Sequence, residues 1–319
     1  MSRRRLFGLG SLGAMAAAMG GCTFLMTRSV KAVDAAPPPP PPPPVSVRVS
    51  RGIRLHMIQT GWVAVKREHR AFNGPPALRL PAIMASRNWT EWMPITAFVI
   101  EHPEGLIVVD TGETARIADP GYTACDSMTG TFYNRNLQFV VTPEDEIAPQ
   151  MIRLGLSPGQ VRQVVMTHLH SDHMGGMSSF PNARVFVSDA ARQGHAGALM
   201  CRLPSGVAYA PVTYAERNVG VFANTMALTA DGTVYLVPTP GHARGHQSVL
   251  IVDEGKSLCL VGDAAFSLDQ IQSGEIGGIV ENHADAVRSV GILKRQFDAF
   301  GTIMLPTHDP GNASRLGGA

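Results

Sequence analysis

The most informative stretch of the chain is residues 167–173, Thr-His-Leu-His-Ser-Asp-His. His168 and His170 are two positions apart, so both can face one metal ion from an extended loop, and Asp172 and His173 can turn toward a second ion. Imidazole nitrogens and carboxylate oxygens are ligands that zinc, manganese and iron accept at about 2.0–2.2 Å. An apolar run precedes the motif and a glycine pair follows it, which predicts a loop at a strand end.

Three later turns each carry one further ligand-type residue. His242, Asp263 and His308 each follow a run of β-branched or apolar residues. Residues at the ends of several strands converge on one edge of a layered α/β fold, where sites are usually built. The resulting seven ligands can hold two metal ions. A shared carboxylate is expected between them, because an anion offsets the repulsion of two dications about 3.5–4 Å apart.

This set of residues resembles the metallo-β-lactamase fold superfamily along residues 53–319, through the HxHxDH motif and the three later ligands. The resemblance implies an α/β fold with four αββα layers, in which two packed sheets lie between outer helices. It also implies that Asp263 bridges two metal ions. The first ion would take His168, His170 and His242, and the second would take Asp172, His173 and His308.

Within the superfamily, the chain resembles the N-acyl-homoserine lactonase branch most. Residues 239–248, Thr-Pro-Gly-His-Ala-Arg-Gly-His-Gln-Ser, are similar to the PGHxxGHQS segment of those lactonases. Methyl-parathion-hydrolase-like and glyoxalase-II-like enzymes share parts of this segment. One position departs from the lactonase pattern, which has a tyrosine three residues after the bridging aspartate to hydrogen-bond the substrate carbonyl. Phe266 stands there and has no hydroxyl group.

Two metal ions with a bridging hydroxide predict hydrolysis, because coordination lowers the pKa of water from about 15.7 to about 7. We therefore expect two divalent ions, Zn²⁺ in the first instance, and a small-molecule lactone or carboxylic ester as substrate. Asp172 and Asp263 are the predicted catalytic carboxylates. Asp172 would relay a proton to the leaving alkoxide. The predicted substrate pocket contains Phe266, Trp89, Trp92 and Phe132.

The ligand pattern leaves two other activities open. Phosphotriester hydrolysis of the methyl-parathion-hydrolase type uses the same kind of centre. A mononuclear iron enzyme of the persulfide-dioxygenase type uses two histidines and the equivalent aspartate, and metal analysis separates it from a dinuclear hydrolase. β-Lactam hydrolysis is disfavoured, because the β-lactamase branches generally lack an acid at the position of Asp263.

The N-terminus predicts export. Residues 1–21 contain Arg3-Arg4-Arg5 followed by a weakly apolar stretch, which is typical of a twin-arginine signal. The stretch is glycine-rich and short of the about 20 apolar residues of a membrane span. A lipobox-like context at Cys22 leaves open whether the periplasmic protein is free or lipid-anchored. Membrane contact is expected only through the signal or a lipidated Cys22.

Residues 22–50 are predicted to be a tether and residues 51–319 the catalytic domain. The tether contains eight consecutive prolines at 37–44, which favour polyproline II at about 3.1 Å per residue and a spacing of about 25 Å. The formal net charge of +2, with scattered arginines, gives no basic footprint for nucleic acid. Oligomeric state is not indicated.

Strands are predicted at 54–61, 95–100, 106–109 and 161–166, and in the runs that precede His242, Asp263 and His308. Helices are predicted at 143–155 and 282–300, and after 184–187, where Asp189 would be the helix cap. The intervals 62–93 and 113–142 are predicted to be irregular, and the resemblance implies that these loops overhang the metal site. The resemblance also implies that Asp110 is structural and lies close to the metal loop. His246 is predicted to order the His242 turn through a hydrogen bond, whereas His69 and His195 are predicted to be surface or packing residues.

The cysteines allow one disulfide. Cys125 and Cys201 fall in loop-like regions and can pair in an oxidising compartment, which the sequence leaves open. Cys259 lies in an apolar strand and is predicted to be a buried small hydrophobe.

Overall fold

Two β-sheets form the centre of the structure, a computed structural model that describes residues 36–317. The first sheet has eight strands in the order β1-β2-β3-β4-β6-β7-β8, with β5 paired to the far end of β2. Its strands are β1 (Val45–Arg48), β2 (Arg54–Val65), β3 (Met93–His102), β4 (Gly105–Val109), β5 (Leu137–Val140), β6 (Val161–Val165), β7 (Arg184–Phe186) and β8 (Ala208–Ala210).

The second sheet has six strands in the order β14-β13-β12-β11-β10-β9. These strands are β9 (Ala215–Val219), β10 (Phe222–Ala227), β11 (Val234–Pro238), β12 (Gln247–Asp253), β13 (Lys256–Gly262) and β14 (Ile303–Pro306). Strands β13 and β14 run parallel, as do β4, β6, β7 and β8 of the first sheet. Parallel neighbours end at the same sheet edge, which matters for the residues that follow them.

Alternation of apolar side chains along the strands builds the sandwich. In β3, Phe98 faces the core between the two sheets, whereas Val99 faces the core outside the first sheet. In β13, Leu260 faces the shared core and Val261 faces the core outside the second sheet. Because side chains alternate with a period of two, each sheet has two apolar faces and requires cover on both.

Helices cover the two outer faces and complete the four predicted αββα layers. Ile147 and Met151 of α4 pack on the first sheet, and Leu293 of α8 packs on the second. The four-layer α/β fold predicted from the sequence is therefore confirmed. The helices are α1 (Arg67–Arg70), α2 (Arg79–Ala85), α3 (Ser127–Asn136), α4 (Ile147–Arg153), α5 (Ser171–Met174), α6 (Asp189–Arg192), α7 (Leu268–Ser273), α8 (His283–Phe300) and α9 (Asn312–Gly317).

Helix α8 shows why local sequence set its ends. The Asn282 side chain accepts a hydrogen bond from the Asp285 amide, which satisfies a free N–H of the first turn. Gly301 follows the last turn at φ 58°, a left-handed conformation that glycine adopts at little cost. For α6, the cap is Ser188, which accepts from the Ala191 amide; the prediction of Asp189 as the cap was wrong by one residue.

The two intervals predicted to be irregular contain regular elements. β2 continues to Val65 and is followed by α1 and α2, and α3 and β5 lie within 113–142. The long strand β2 pairs with β3 through most of its length and with β5 at its end. This pairing keeps the chain extended beyond Gly61, although the sequence pattern of residues 54–61 predicts that the strand ends there.

The proline-rich segment lies against the domain. The indole nitrogen of Trp62 donates to the Pro39 carbonyl at 2.8 Å, and that of Trp92 donates to the Ala36 carbonyl at 3.2 Å. Polyproline II leaves its carbonyls free to accept such bonds. Strand β1 also lies inside the range 22–50, and it pairs with β2. The folded unit therefore includes residues that the sequence assigns to the tether.

Cys125 and Cys201 form a disulfide with a Cα–Cα distance of 6.2 Å, and Cys259 is free and buried as predicted. Within residues 36–317, no helix has the length and apolar character needed to cross a membrane. The predicted signal and Cys22 lie outside the described residues.

Candidate metal centre

The ends of four strands bring the predicted ligands to one edge of the sandwich. β6 of the first sheet leads into His168 and His170, and the short helix α5 carries Asp172 and His173. In the second sheet the turns after β11, β13 and β14 carry the other ligands, His242, Asp263 and His308. The parallel pairing of β13 with β14 places two of these turns side by side.

The ligand atoms form two groups, each with its atoms within 4.8 Å of one another. In one group, His170 Nδ1 lies 2.8 Å from His168 Nε2 and 3.1 Å from His242 Nε2. In the other, His308 Nε2 lies 3.5 Å from an oxygen of Asp172. Ligand atoms on a tetrahedral zinc ion are about 3.3 Å apart, as follows from metal–ligand distances of about 2.0–2.1 Å. Both groups therefore have the spacing of a metal site.

Asp263 lies between the two groups. Its Oδ1 is 3.3 Å from His173 Nε2, and its Oδ2 is 3.3 Å from His308 Nε2 and 3.6 Å from His242 Nε2. One carboxylate therefore reaches histidines of both groups, the placement expected of a residue that two ions share.

Each of the five histidines uses its other ring nitrogen for a hydrogen bond that orients the imidazole. Such bonds select the tautomer that presents a lone pair to a metal. The partners are Thr167 Oγ1 for His168, the Ala196 carbonyl for His170, Asp110 for His173, the Ile279 carbonyl for His242 and the Pro94 carbonyl for His308.

The buried polar atoms of the site fit metal ions. His173 Nε2 and Asp263 Oδ1 are both buried, and neither makes a hydrogen bond within the described residues. A buried polar atom without a partner costs free energy, and a coordinated cation would satisfy both atoms at once. The all-nitrogen-and-oxygen donor set suits zinc or another first-row divalent ion.

Burial and neighbouring charges set the protonation of the site. Burial lowers the pKa of His168 and His170 well below the usual histidine range, and neighbouring imidazoles lower both further. Burial opposes the charge on His173, but Asp263 and Asp110 on either side raise its pKa overall. Metal binding at the second group therefore competes with a proton on His173.

Asp110 organises the metal loop from behind, as expected from the sequence. It directly follows β4 and has φ 55°, an uncommon conformation for a residue other than glycine. Its carboxylate accepts hydrogen bonds of 2.8 Å from the Thr167 amide, the Thr167 hydroxyl and His173 Nδ1. The Asp110 carboxylate therefore orients both the metal loop, through Thr167, and the predicted ligand His173.

Two further histidines accept hydrogen bonds from backbone amides beside the candidate ligands. His246 Nε2 accepts from the Asp263 amide at 3.0 Å, and His195 Nε2 accepts from the Leu169 amide at 3.0 Å. Burial lowers the pKa of His246 to about 3, so its Nε2 stays an acceptor. The sequence assigned His195 to surface or packing. No motif in the neighbouring sequence indicates the role of His195, because its hydrogen-bond partner Leu169 lies 26 positions away.

Phe266 and Phe132 flank a third histidine that the sequence also assigned to surface or packing. The Phe266 ring lies 5.8 Å from the ring of His242 and 5.5 Å from that of His308. His69 lies 6.4 Å from Phe266 and 6.0 Å from Phe132, measured between ring centroids. Burial, and then the proximity of His242, lower the pKa of His69 to about 3. Of the four predicted pocket residues, Phe266 therefore lies beside two candidate ligands, and Phe132 lies beside His69.

The two tryptophans predicted to line the pocket make other contacts. The Trp92 indole is bonded to the proline-rich segment. The Trp89 ring lies under the ammonium group of Lys66, 3.5 Å from its centroid, and the two residues pair as an isolated bridge. These contacts give both tryptophans structural roles, and they do not support Trp92 as a pocket residue.

Comparisons with known proteins agree with this geometry. The family model of the metallo-beta-lactamase superfamily matches residues 90–308. The N-acyl homoserine lactonase AttM of Azorhizobium caulinodans is 30% identical over 271 residues, covering 81% of this chain and 94% of the relative. The protein of the same name from Agrobacterium fabrum is 28% identical over 266 residues, with the same coverage.

Solved structures show the same fold. One is an N-acyl homoserine lactone hydrolase with the product N-hexanoyl-L-homoserine bound at its catalytic metal center. It aligns with a TM-score of 0.64 at 23% identity, over 82% of this chain and 94% of that one. AidC, a dizinc quorum-quenching lactonase, aligns with a TM-score of 0.57 at 16% identity, over 84% and 91%.

Proposed function

The chain belongs to the metallo-beta-lactamase superfamily, and we propose that within it the protein is a dinuclear metal hydrolase that opens N-acyl-homoserine lactones or related lactones. That the chain is a metal-dependent hydrolase follows from this membership and from its lactonase relatives. The number of metal ions, the nucleophile and the substrate are the proposal.

The observation that carries the proposal is the position of Asp263 between two complete ligand groups. Its two oxygens lie within 3.6 Å of histidines from both groups. His168, His170 and His242 would hold one ion, and Asp172, His173 and His308 the other. Two bound divalent ions would supply a hydroxide nucleophile at neutral pH and polarise the substrate carbonyl.

The chain itself supplies orientation and a proton path. Asp110 and His246 hold His173 and Asp263 through the bonds described above, so the ligand atoms are in place before substrate binds. Asp172 is buried, and one of its carboxylate oxygens lies 3.5 Å from His308 Nε2. We assign Asp172 the transfer to the leaving alkoxide of the proton that the attacking hydroxide gives up.

A lactone fits the site better than the alternatives for two reasons. The relatives that the chain matches over nearly their whole length are named as N-acyl homoserine lactonases. A buried Phe266 against the rings of His242 and His308 also gives the site an apolar wall, suited to the hydrocarbon part of such a substrate.

The test is a hydrolysis screen of the purified protein, with metal content measured on the same sample. The substrates are acyl-homoserine lactones, aliphatic lactones, aryl esters, a phosphotriester and a cephalosporin. We expect about two zinc-like ions per chain and lactone opening. A phosphotriester cleaved faster than every lactone would favour the phosphotriesterase alternative. One iron per chain without hydrolysis would favour the oxygenase.

For location, the proposal is export to the periplasm, either free or anchored through Cys22, with residues 1–21 as the signal. The Cys125–Cys201 disulfide supports it, because such bonds persist in oxidising compartments. The chain's contact with membranes would then depend on the N-terminus alone.

A further inference from the structure

The lactonase pattern requires a hydrogen-bond donor near the reacting carbonyl, and Phe266 cannot be that donor. We propose that His69 contacts the substrate and donates a hydrogen bond to its carbonyl oxygen, the role that a tyrosine at position 266 has in the lactonase pattern. This inference rests on the proposed function, because it names the group that completes the same site.

His69 is placed at the centre by its ring contacts. Its imidazole lies between Phe132 and Phe266, 6.0 Å and 6.4 Å away by ring centroid. Phe266 in turn contacts the rings of His242 and His308, one from each ligand group. A hydrogen-bond donor on α1 therefore stands beside the residue that lacks one.

The His69 side chain carries an unused hydrogen-bonding atom. The residue is 7% exposed, and its Nδ1 is buried without a hydrogen-bond partner among residues 36–317. Leaving a buried polar atom unpaired is costly, so each such atom in a native structure calls for a physical reason. The phenyl rings of Phe132 and Phe266 beside it offer no polar partner, and the carbonyl oxygen of a bound substrate is the partner in this proposal.

Two hydrogen-bonded connections set the position of His69 relative to the metal ligands. Its carbonyl accepts from the Ile279 amide at 3.0 Å, and the Ile279 carbonyl accepts from His242 Nδ1 at 3.1 Å. Gln270 accepts from the Phe266 amide at 2.8 Å and donates to the Arg70 carbonyl at 3.0 Å. α1 is therefore tied both to a ligand histidine and to Phe266.

Close packing removes the remaining freedom of α1. A Cβ added to Gly278 would overlap the backbone oxygen of Glu68. The loop segment 278–279 therefore lies directly on this helix. Such pre-organisation is what a donor needs to stabilise charge that develops on a carbonyl oxygen. An imidazole N–H serves this purpose in either protonation state.

A double-mutant cycle tests the exchange of donors. In His69→Phe, kcat on an unactivated lactone should fall about 10²–10³-fold, and less on an aryl ester, whose leaving group needs less help. Phe266→Tyr should restore activity at least about 10-fold more in His69→Phe than in the wild type, because both donors serve one oxygen. His69→Gln, which retains an N–H, should lose less than His69→Phe.

The control is His102→Phe, a buried histidine bonded to Asp231 and Thr233 on another part of the domain. Metal content is measured for every variant, and all should retain wild-type metal. Equal effects of Phe266→Tyr in both backgrounds, or unchanged kcat in a metal-loaded His69→Phe, would overturn the inference. If His69→Phe does not fold, Phe266→Tyr is instead introduced into His69→Gln. A larger gain in kcat there than in the wild type supports the inference, and an equal gain overturns it.

A second readout does not require turnover. Metal-loaded protein with ¹⁵N-labelled histidine is titrated with γ-butyrolactam, a carbonyl probe that resists hydrolysis, and the His69 signal is assigned from its absence in His69→Gln. A shift of that signal supports the inference even if the wild type opens no lactone. The lack of lactone opening would refute only the proposed function. An unmoved signal while other site histidines shift would refute the inference alone.

Discussion

Nδ1 of His173 donates a 2.8 Å hydrogen bond to Oδ2 of Asp110, although the two residues are 63 positions apart. Asp110 directly follows β4, and His173 lies on α5 beyond the neighbouring strand β6. The bond joins the predicted metal loop to the sheet and leaves Nε2 of His173 directed at Asp263. A buried carboxylate outside the two ligand groups thereby orients a predicted ligand.

Replacement of this carboxylate should weaken metal binding. Asp110→Asn keeps the shape but removes the charge that holds His173 as an Nδ1 donor. We expect metal affinity to fall about 10–100-fold, measured by competition with a chelator. Asp298→Asn, which alters an exposed ion pair with Lys294, is the matched control. Unchanged affinity in Asp110→Asn would show that the bond does not orient the ligand.

Loss of a metal ligand should abolish metal and activity together. His170→Ala removes the imidazole that lies within 3.1 Å of ligand atoms on both His168 and His242. We expect loss of at least one metal equivalent and of hydrolysis, measured on one preparation. His283→Ala, which removes a histidine outside the ligand groups, should retain both. Full activity in a metal-depleted His170→Ala protein would refute the site.

The disulfide should contribute to stability. Cys125 and Cys201 are 76 positions apart, so the bond restricts a long segment of the unfolded chain. The double variant Cys125→Ser/Cys201→Ser should lower the free energy of unfolding by about 2–4 kcal/mol in a urea titration. Adding reductant to the wild type should give a similar loss and should leave the double variant unaffected. A wild type insensitive to reductant would contradict this expectation.

Acid should destabilise the protein, in part through His69. The pKa of His69 is lowered from 6.5 to about 3 on folding, so the folded state binds its proton more weakly than the unfolded chain. Its stabilising contribution is present above pH 6.5 and is lost as the pH falls from 6.5 toward 3. In thermal melts, His69→Gln should therefore lose less stability than the wild type between pH 6.5 and 4. Parallel curves would exclude this contribution.

Export should depend on the arginine pair. Replacement of Arg3-Arg4 with Lys-Lys should retain the precursor inside the cell, measured by fractionation. Unchanged export would indicate the general secretory route. Cys22→Ser should release the protein from membranes, and a wild type found only in the soluble fraction would refute the lipid anchor.

The residue types of the site were predictable from the sequence because metal ligation is local chemistry. His168 to His173 occupy one short loop, and His242, Asp263 and His308 each follow a strand that its own apolar pattern marks. The structure places the seven side chains in the two predicted groups. Helix α8 was predictable for a similar reason, since its apolar spacing, cap and terminal glycine are contiguous.

The supporting residues were not predictable in the same way. His69 and His195 belong to no spacing pattern that distinguishes them from packing histidines, and only tertiary contacts give them roles. For His246, the PGHxxGHQS segment indicated a supporting role, but not its bond to the Asp263 amide. The strand pairing that extends β2 to Val65 was also missed, because β5 lies more than 70 positions further along the chain. Trp92 was predicted to line the substrate pocket, whereas in the structure its indole nitrogen donates to the Ala36 carbonyl of the proline-rich segment.

The sequence by itself indicated the seven ligand-type residues, the four-layer fold and the absence of a tyrosine at position 266, because each depends on residue identity, short-range pattern or resemblance to the superfamily. Only the tertiary structure decided which group faces Phe266 and which anion holds His173. The physical reason is that a buried polar side chain must be satisfied by whatever lies nearest in space. For His69 and Asp110, those neighbours come from distant parts of the chain.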